Sequence, residues 1–589
     1  MSFHTFRREN ATDELDQRLH AAISRVTGSL SPTLALISFI DWATHLAAAP
    51  GKQIELAEMA TAQNLLLTQY IHGVAAGTMA SVSWLPAQPV STAPPPQSDW
   101  RFAAAEWQNW PYNLLHQSYL MSEQWWTEAT TDVRGLSPHH AHVVGFAARE
   151  LLKPFSPRNF LATNPQLLER TIEEFGANLL RGAMYAMDDL SRQAARRGPY
   201  GTENFIVGEN IAATPGKVVL RNALMELVQY TPTTKKVRPE PVLIVPAWIM
   251  KYYILDLSAH NSLIRFLVGQ GYTVFCISWK NPDATQRDMG MDDYVALGFD
   301  ASLKAVNAIV PEKKVHALGY CLGGTLLSIA AASMARDGDD RLASISLLAA
   351  QTDFSEPGEL SLFIDHSQDA LLEARMADTG YLTTEQMAGA FQLLRSDYLV
   401  WSHFIDTYLM GERRPVGDLM AWNADGTRMP AKMHAQYLSR LFLNNDLAEG
   451  RYPMGGRPVA LTDIRLPIFC LGTRADHVAP WRSVYKIHIL TGAEITFVLT
   501  NGGHNSGVVN EPGHHDRYYQ CLTRDKSGGY LGPDEWLQTA PKQVGSWWPC
   551  WTAWLDARSG PLTAPPQMGA SELGYAEIGP APGRYVLEK

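Results

Sequence analysis

The chain of 589 residues carries a formal net charge of −10, with 46% apolar and 18% charged side chains. That balance fits a globular protein with a substantial core and excludes wholesale disorder; the acidic excess, with no basic run interleaved with aromatics, argues against a nucleic-acid partner. The opening MSFHTFRREN lacks the apolar stretch of a secretory signal, and no run reaches the roughly 18 apolar residues of a membrane-spanning helix; the best candidate, 326–335, reads as a buried helix.

In chain order, residues 12–84 and 100–197 predict helices, with runs such as TIEEFGANLLRGAMYAMDDLSRQAARR spacing apolar residues at three and four. Between them, 86–98 carries Pro86, Pro89, Pro94, Pro95 and Pro96 and predicts a linker or surface loop, because proline fixes the backbone and removes a donor. Gly198-Pro199 ends this helical half, giving a helical N-terminal domain over 1–200. From 201 to 589 the texture changes to short apolar runs alternating with helical stretches: VLIV at 242–245, TVFCIS at 273–278, VHALGYC at 315–321, SISLLAA at 344–350, PIFCLGT at 467–473 and ITFVLT at 495–500. Strands this apolar are buried on both faces, so the prediction is an α/β fold, an α/β-hydrolase-like, mostly parallel sheet. The interval 355–460 holds no comparable strand and predicts a helical cap inserted over the end of the sheet. The tail from Ser559, rich in Pro and Gly, is expected to run extended over the surface.

The five cysteines, Cys276, Cys321, Cys470, Cys521 and Cys550, are scattered and show no CxxC pairing, which argues against a disulfide framework or zinc site and for a reducing cytoplasm. Cys276 and Cys470 sit in apolar strand-like runs and read as small core residues. Cys321 is different. It centres Gly319-Tyr320-Cys321-Leu322-Gly323 between a strand and a helix, the nucleophile-elbow pattern with cysteine in place of serine. Glycines two residues to either side let the backbone cross itself closely, and the thiol then projects at a helix N-terminus, where the dipole favours thiolate. The amide of Leu322 points at the substrate oxyanion in such an elbow.

A hydrolase-type sheet calls for an acid after the next-to-last core strand and a histidine after the last. Asp476 follows the strand at 467–473, and His504, in a Gly-Gly-His turn, follows the strand at 495–500. Asp353 competes for the acid role, and His477 is as readily structural as catalytic. The second oxyanion donor comes from the loop after the third strand, where the amide of Ile249 or its neighbour is the candidate. A thiolate attacking a coenzyme A thioester makes another thioester and keeps the acyl group activated; attack by an alcohol then runs downhill to an oxoester. That suits acyl transfer to a hydroxyl, with His504 deprotonating Cys321 and either His504 or Asp476 serving the acceptor hydroxyl. Chemistry alone leaves a thioesterase or a dienelactone-type hydrolase open.

Several segments carry a family resemblance: Asp99-Trp100-Arg101-Phe102 with Trp107 and Pro111, FSPRNFLATNP at 155–165, KYYILDL at 251–257, ISWKNPD at 277–283, GYCLGGT at 319–325, DYLVWS at 397–402, ADHVAPW at 475–481, GSWWPCWTAWL at 545–555 and PAPGRYV at 580–586. By these the chain resembles the polyhydroxyalkanoate synthases, most like the class acting on short-chain monomers. The resemblance implies polymerisation of (R)-3-hydroxyacyl-CoA with release of CoA, nucleophile Cys321, base His504 and acid Asp476. It leaves open whether Asp476 orients His504 or itself activates the 3-hydroxyl. It also implies no metal and no cofactor (the CoA thioester being substrate), a homodimer formed through the catalytic domain, and residence on cytoplasmic polymer granules with granule-associated proteins. The elbow GYCLGG is of the short-chain form. The chain departs from the family's PP-x-INKYYILDL, reading Pro246-Ala247-Trp248-Ile249-Met250-Lys251: Met250 replaces an asparagine near the oxyanion loop and Trp248 adds bulk, which bears on monomer choice. Residues 1–84 match least. The alternatives are a thioesterase or polyester hydrolase on the same fold, or a granule-binding subunit without activity.

Overall fold

The apolar runs of the second half become strands because side chains buried on both faces leave the backbone to satisfy its polar groups laterally. In a computed structural model of the chain, which describes residues 11–27, 30–75 and 99–589, the strands are β1 (Gly216–Arg221), β2 (Met225–Tyr230), β3 (Val242–Val245), β4 (Val274–Trp279), β5 (Val315–Tyr320), β6 (Leu342–Leu348), β7 (Tyr381–Leu382), β8 (Met429–Pro430), β9 (Tyr452–Met454), β10 (Arg457–Val459), β11 (Ile468–Thr473), β12 (Ile495–Thr500), β13 (Tyr518–Arg524), β14 (Lys542–Val544) and β15 (Gly579–Pro580). The main sheet has the order β14-β13-β12-β11-β6-β5-β3-β4-β2-β1-β15. Its centre, from β12 across to β4, is parallel, and the strands outside it at both edges are antiparallel. Every residue of β3, β4, β5, β11 and β12 is buried, which is why these strands read so clearly from composition. The proline-rich 86–98 lies outside the described residues.

Strand β2 escapes the apolar pattern because it carries charge inward, and β1 because its Lys217 and Arg221 stay half-exposed. Glu226 of β2 is fully buried, and its carboxylate is matched by Arg221 and by the backbone N–H groups of Arg584 and Tyr585 at 2.8 and 2.9 Å. Those last two donors belong to the C-terminal tail, which does more than drape the surface. It adds β15 to the sheet edge, pairs Thr563 with Val237, and buries Val586.

The chain divides into two compact units. One comprises Met1–Leu30, Gly198–Ala388 and Val416–Lys589; the other comprises Ser31–Arg197 and Gly389–Pro415. The first holds the sheet and most of the interval 355–460, where β7 pairs only with β8 and β9 only with β10, among short helices such as His366–Thr379. The second is helical. Its helices Pro32–Ala47, Tyr112–Thr130 and Pro138–Leu152 close on Trp42, whose indole donates to the Ala129 carbonyl at 2.8 Å, with Val133 and Val144 packed beside it. Residues 389–415, which the sequence places in the inserted interval, join this unit for a packing reason. The bare backbone of Gly182, on helix Ala177–Ala194, lets the Tyr408 carbonyl approach to where a Cβ would stand 1.9 Å away. Asn178 donates to the Leu409 carbonyl, and Arg413 pairs with Asp188 and Asp189.

Candidate active site

The site is built where β5 ends. Cys321 adopts φ 53° and ψ −124°, a left-handed conformation that a residue with a Cβ takes only at a cost, and helix Leu322–Asp337 starts immediately after it. The strain is accommodated because the residues two positions to either side, Gly319 and Gly323, are glycines. A Cβ on Gly319 would lie 2.4 Å from the Gly324 Cα, and one on Gly323 would lie 2.0 Å from the Val245 carbonyl oxygen at the end of β3. Both clashes are with backbone, so neither relaxes by turning a side chain. Gly323→Ala is therefore expected to destabilise the fold by about 3 kcal/mol, the upper range for an overpacked site, measured by urea unfolding.

Cys321 is half-buried, its N–H donates to the Leu348 carbonyl, and its side chain stands near enough to His504 to bear on the charge of the imidazole. His504 Nδ1 faces Asp476 Oδ2 at 2.8 Å, and the Asp476 side chain is fully buried. The structure thus brings Cys321, from the elbow after β5, and His504 and Asp476, from the loops after β12 and β11, together. The remaining lone pairs of Asp476 are also taken: Oδ2 accepts from Thr473 Oγ1 at 2.9 Å, and Oδ1 accepts from the backbone N–H groups of Val478 and Ala479 at 2.9 and 2.8 Å. Asp353 stands elsewhere, accepting from Ser355 and lying 3.5 Å from Lys486 Nζ. His477 is half-buried with its carbonyl against Gly358.

Burial opposes charge on both members of the buried pair, and the charge of each partner works against that. Desolvation works to raise Asp476, but the charge and hydrogen bond of His504 and the two backbone donors leave its carboxyl below the usual range. Desolvation works to lower His504, but Asp476 and then Cys321 hold its imidazole well above the usual value. The signs follow from linkage. Asp476, depressed on folding, contributes stability that is present above the unfolded carboxylate pKa and is lost as pH falls through the folded value. His504, raised on folding, contributes stability that is complete below the unfolded imidazole pKa and is lost as pH rises through the folded value. Wild type and Asp476→Asn should therefore differ most in urea unfolding near neutral pH, with the gap narrowing below about pH 4.

Several supports went unread in the sequence. Tyr320 stacks its ring on His504 with centroids 5.7 Å apart, and its hydroxyl donates to Asn505 Oδ1 at 2.6 Å. The loop carrying His504 is held from below by helix Trp548–Asp556 and the residue before it: Trp547 donates to the Gly507 carbonyl at 3.0 Å and Trp548 to the Val508 carbonyl at 3.1 Å. Tyr437, from the inserted interval, is half-buried, burial and then the nearby Cys321 push its hydroxyl up, and it packs with Phe354 and Phe442. The sequence signal for the tryptophans was the segment GSWWPCW, and for Tyr320 its place within the elbow; neither reveals a partner distant along the chain.

Leu322 opens the elbow helix, so its N–H is one of those the helix leaves without an internal acceptor. Ile249 is half-buried in the loop after β3, and its carbonyl accepts from the Thr427 N–H. Trp248 turns its bulk into the core, packed with Trp279 and Tyr294, and Met250 bridges to Gly426. Among the described residues no cluster of three or more His, Cys, Asp or Glu could hold a metal ion, and no helix is long and apolar enough to cross a membrane.

Three family models match the chain: poly-beta-hydroxybutyrate polymerase N terminal over residues 10–52, poly-beta-hydroxybutyrate polymerase (PhaC) N-terminus over 98–267, and the alpha/beta hydrolase fold over 240–511. The chain is 41% identical to a poly(3-hydroxyalkanoate) polymerase of Methylorubrum extorquens over 84% of its own length and 82% of that protein. It is 38% identical to a poly(3-hydroxyalkanoate) polymerase subunit of Rhizobium etli, over 85% and 78%. It is 37% identical to the corresponding subunit of Cupriavidus necator, over 84% of each.

Proposed function

The chain belongs to the poly(3-hydroxyalkanoate) polymerase family, an acyltransferase family on an α/β-hydrolase fold, and from that membership we propose that it grows the polyester on Cys321 by repeated transfer from (R)-3-hydroxyacyl-CoA. The observation that carries this reading is the placement of a cysteine, rather than a serine, at an elbow facing the His504–Asp476 pair.

The Cys321 proton passes to His504, and the thiolate attacks the thioester carbonyl. The oxyanion is held by the N–H of Leu322 and of Ile249 or its neighbour. CoA leaves as the thiol, taking the proton from the imidazolium, and the acyl group remains on sulfur at nearly the same activation. The hydroxyl of the next 3-hydroxyacyl-CoA then gives its proton to a base and attacks the thioester carbonyl on Cys321. The carbon–sulfur bond breaks, and the Cys321 sulfur leaves and regains that proton. The lengthened chain, now an oxoester ending in a CoA thioester, is taken back onto Cys321 by the first step with release of CoA. Both oxygens of Asp476 are engaged and its side chain has no exposure, which supports an orienting role for Asp476, with His504 as the base in both transfers. The GYCLGG elbow supports short-chain monomers. Homodimerisation and residence on cytoplasmic polymer granules with granule-associated proteins follow from the family membership as parts of the same proposal; no metal or cofactor takes part in it.

The test is to incubate purified protein with (R)-3-hydroxybutyryl-CoA, follow free CoA and insoluble polymer together, and map acyl adducts by mass spectrometry. CoA and polymer rising together, with a 3-hydroxyacyl adduct on Cys321, is the expected result. Free CoA without polymer would overturn the reading in favour of a thioesterase, and an adduct elsewhere would remove Cys321 as the carrier.

A further inference from the structure

Cys521 and Cys550 are 29 residues apart in sequence, yet their Sγ atoms lie 3.8 Å from each other. Cys521 sits on β13, where it pairs across to Val498 of β12, and Cys550 sits in the first turn of helix Trp548–Asp556. Both are half-buried, whereas Cys276 and Cys470 are wholly buried within strands. A disulfide has sulfurs about 2.05 Å apart, so closing this pair needs an approach of about 1.8 Å. We propose that Cys521 and Cys550 form a reversible disulfide, a thiol-oxidation site that clips β13 to the tryptophan helix beneath the His504 loop.

The chemistry of the pair suits the step. Cys550 is held down to about 7 by the hydrogen bond from Cys521, against the opposing effect of burial and with help from the Tyr519 hydroxyl, so it supplies the attacking thiolate. Cys521 is pushed up by its contact with Cys550 and by burial, and enters second. Written with a small-molecule disulfide as oxidant, the Cys550 thiolate attacks one sulfur of RS–SR, forming a mixed disulfide and expelling RS⁻. Cys521 then loses its proton to solvent and attacks the Cys550 sulfur, expelling the second RS⁻. The protein loses two electrons and the reagent gains them as two thiols. The position gives the modification a consequence. Strand β13 leaves the same loop that Trp547 and Trp548 hold through the carbonyls of Gly507 and Val508, so the clip joins the two elements that flank His504. This holds whether or not Cys321 is the acyl carrier.

The experiment equilibrates the full chain with glutathione and its disulfide at a series of ratios, blocks free thiols by alkylation and maps the products by mass spectrometry. The expected product is a peptide pair linked through Cys521 and Cys550, removed by dithiothreitol. In Cys521→Ser the glutathione adduct should accumulate on Cys550, and in Cys550→Ser Cys521 should remain alkylatable. Because Cys321 is also exposed to the reagent, the mapping is repeated in Cys321→Ala, where the linked pair should persist unchanged. Cys521 and Cys550 both fully alkylated under oxidising ratios would overturn the proposal. So would glutathione remaining on Cys550 in the wild-type chain without transfer to Cys521.

Discussion

Cys321→Ala should abolish acyl transfer, with kcat down by at least about 10⁴-fold, while the circular dichroism spectrum and urea midpoint stay close to wild type. The size follows from what is removed: an enzyme that loses its nucleophile keeps only binding and oxyanion stabilisation. The fold should tolerate the change because the side chain is half-buried and the strain at the elbow belongs to the backbone, relieved by Gly319 and Gly323 and not by the sulfur. Cys321→Ser is expected to fall nearly as far. A hydroxyl is a much weaker nucleophile beside the same imidazole, and its ester no longer carries the activation that drives the next transfer. Polymer made by Cys321→Ala at an appreciable rate would remove the covalent mechanism from consideration.

Asp476→Asn should cost about 10³- to 10⁴-fold in kcat, with a much smaller change in KM. An asparagine can occupy the same space, but its amide nitrogen offers a donor where Asp476 accepts from His504, Thr473, Val478 and Ala479. The imidazole loses both its preferred tautomer and the negative charge that stabilises it when protonated. Steady-state kinetics on 3-hydroxybutyryl-CoA check this. A loss under about tenfold would mean that the carboxylate is only structural, and a loss confined to KM would place it in substrate binding.

The parallel core was readable because burial on both faces leaves a compositional mark: β3 is the run VLIV and β12 the run ITFVLT, with no polar residue aimed at solvent. The edges were not readable for the opposite reason. Strand β2 buries Glu226, whose partners Arg584 and Tyr585 lie at the far end of the chain, and β13 carries Gln520, which is satisfied by the carbonyls of Leu537 and Ala540. Local pattern gives no sign that a charged or amide side chain will find distant donors and acceptors. The same division applies to the site. The elbow glycines mark Cys321, and the order of loops marks Asp476 and His504. The ring of Tyr320 against His504, and the indoles of Trp547 and Trp548 beneath the loop, depend on through-space neighbours that no spacing rule encodes. Residues 389–415 give no local sign either of the close approach of Tyr408 to Gly182 that packs them on helix Ala177–Ala194.

That approach constrains how the protein can be dissected. The chain enters the helical unit at Ser31, leaves after Arg197, re-enters at Gly389 and leaves again after Pro415. No single cut separates the two units into contiguous fragments. A truncation beginning at Gly198 would strip residues 389–415 of the backbone shelf at Gly182 and of the carboxylates that neutralise Arg413. Such a fragment would carry a displaced segment whose Arg413 has lost the carboxylates of Asp188 and Asp189. Loss of activity on N-terminal truncation would then report damage inside the retained polypeptide as much as the absence of the part removed. Complementation of the two pieces in trans is the fairer measure of what the helical unit contributes.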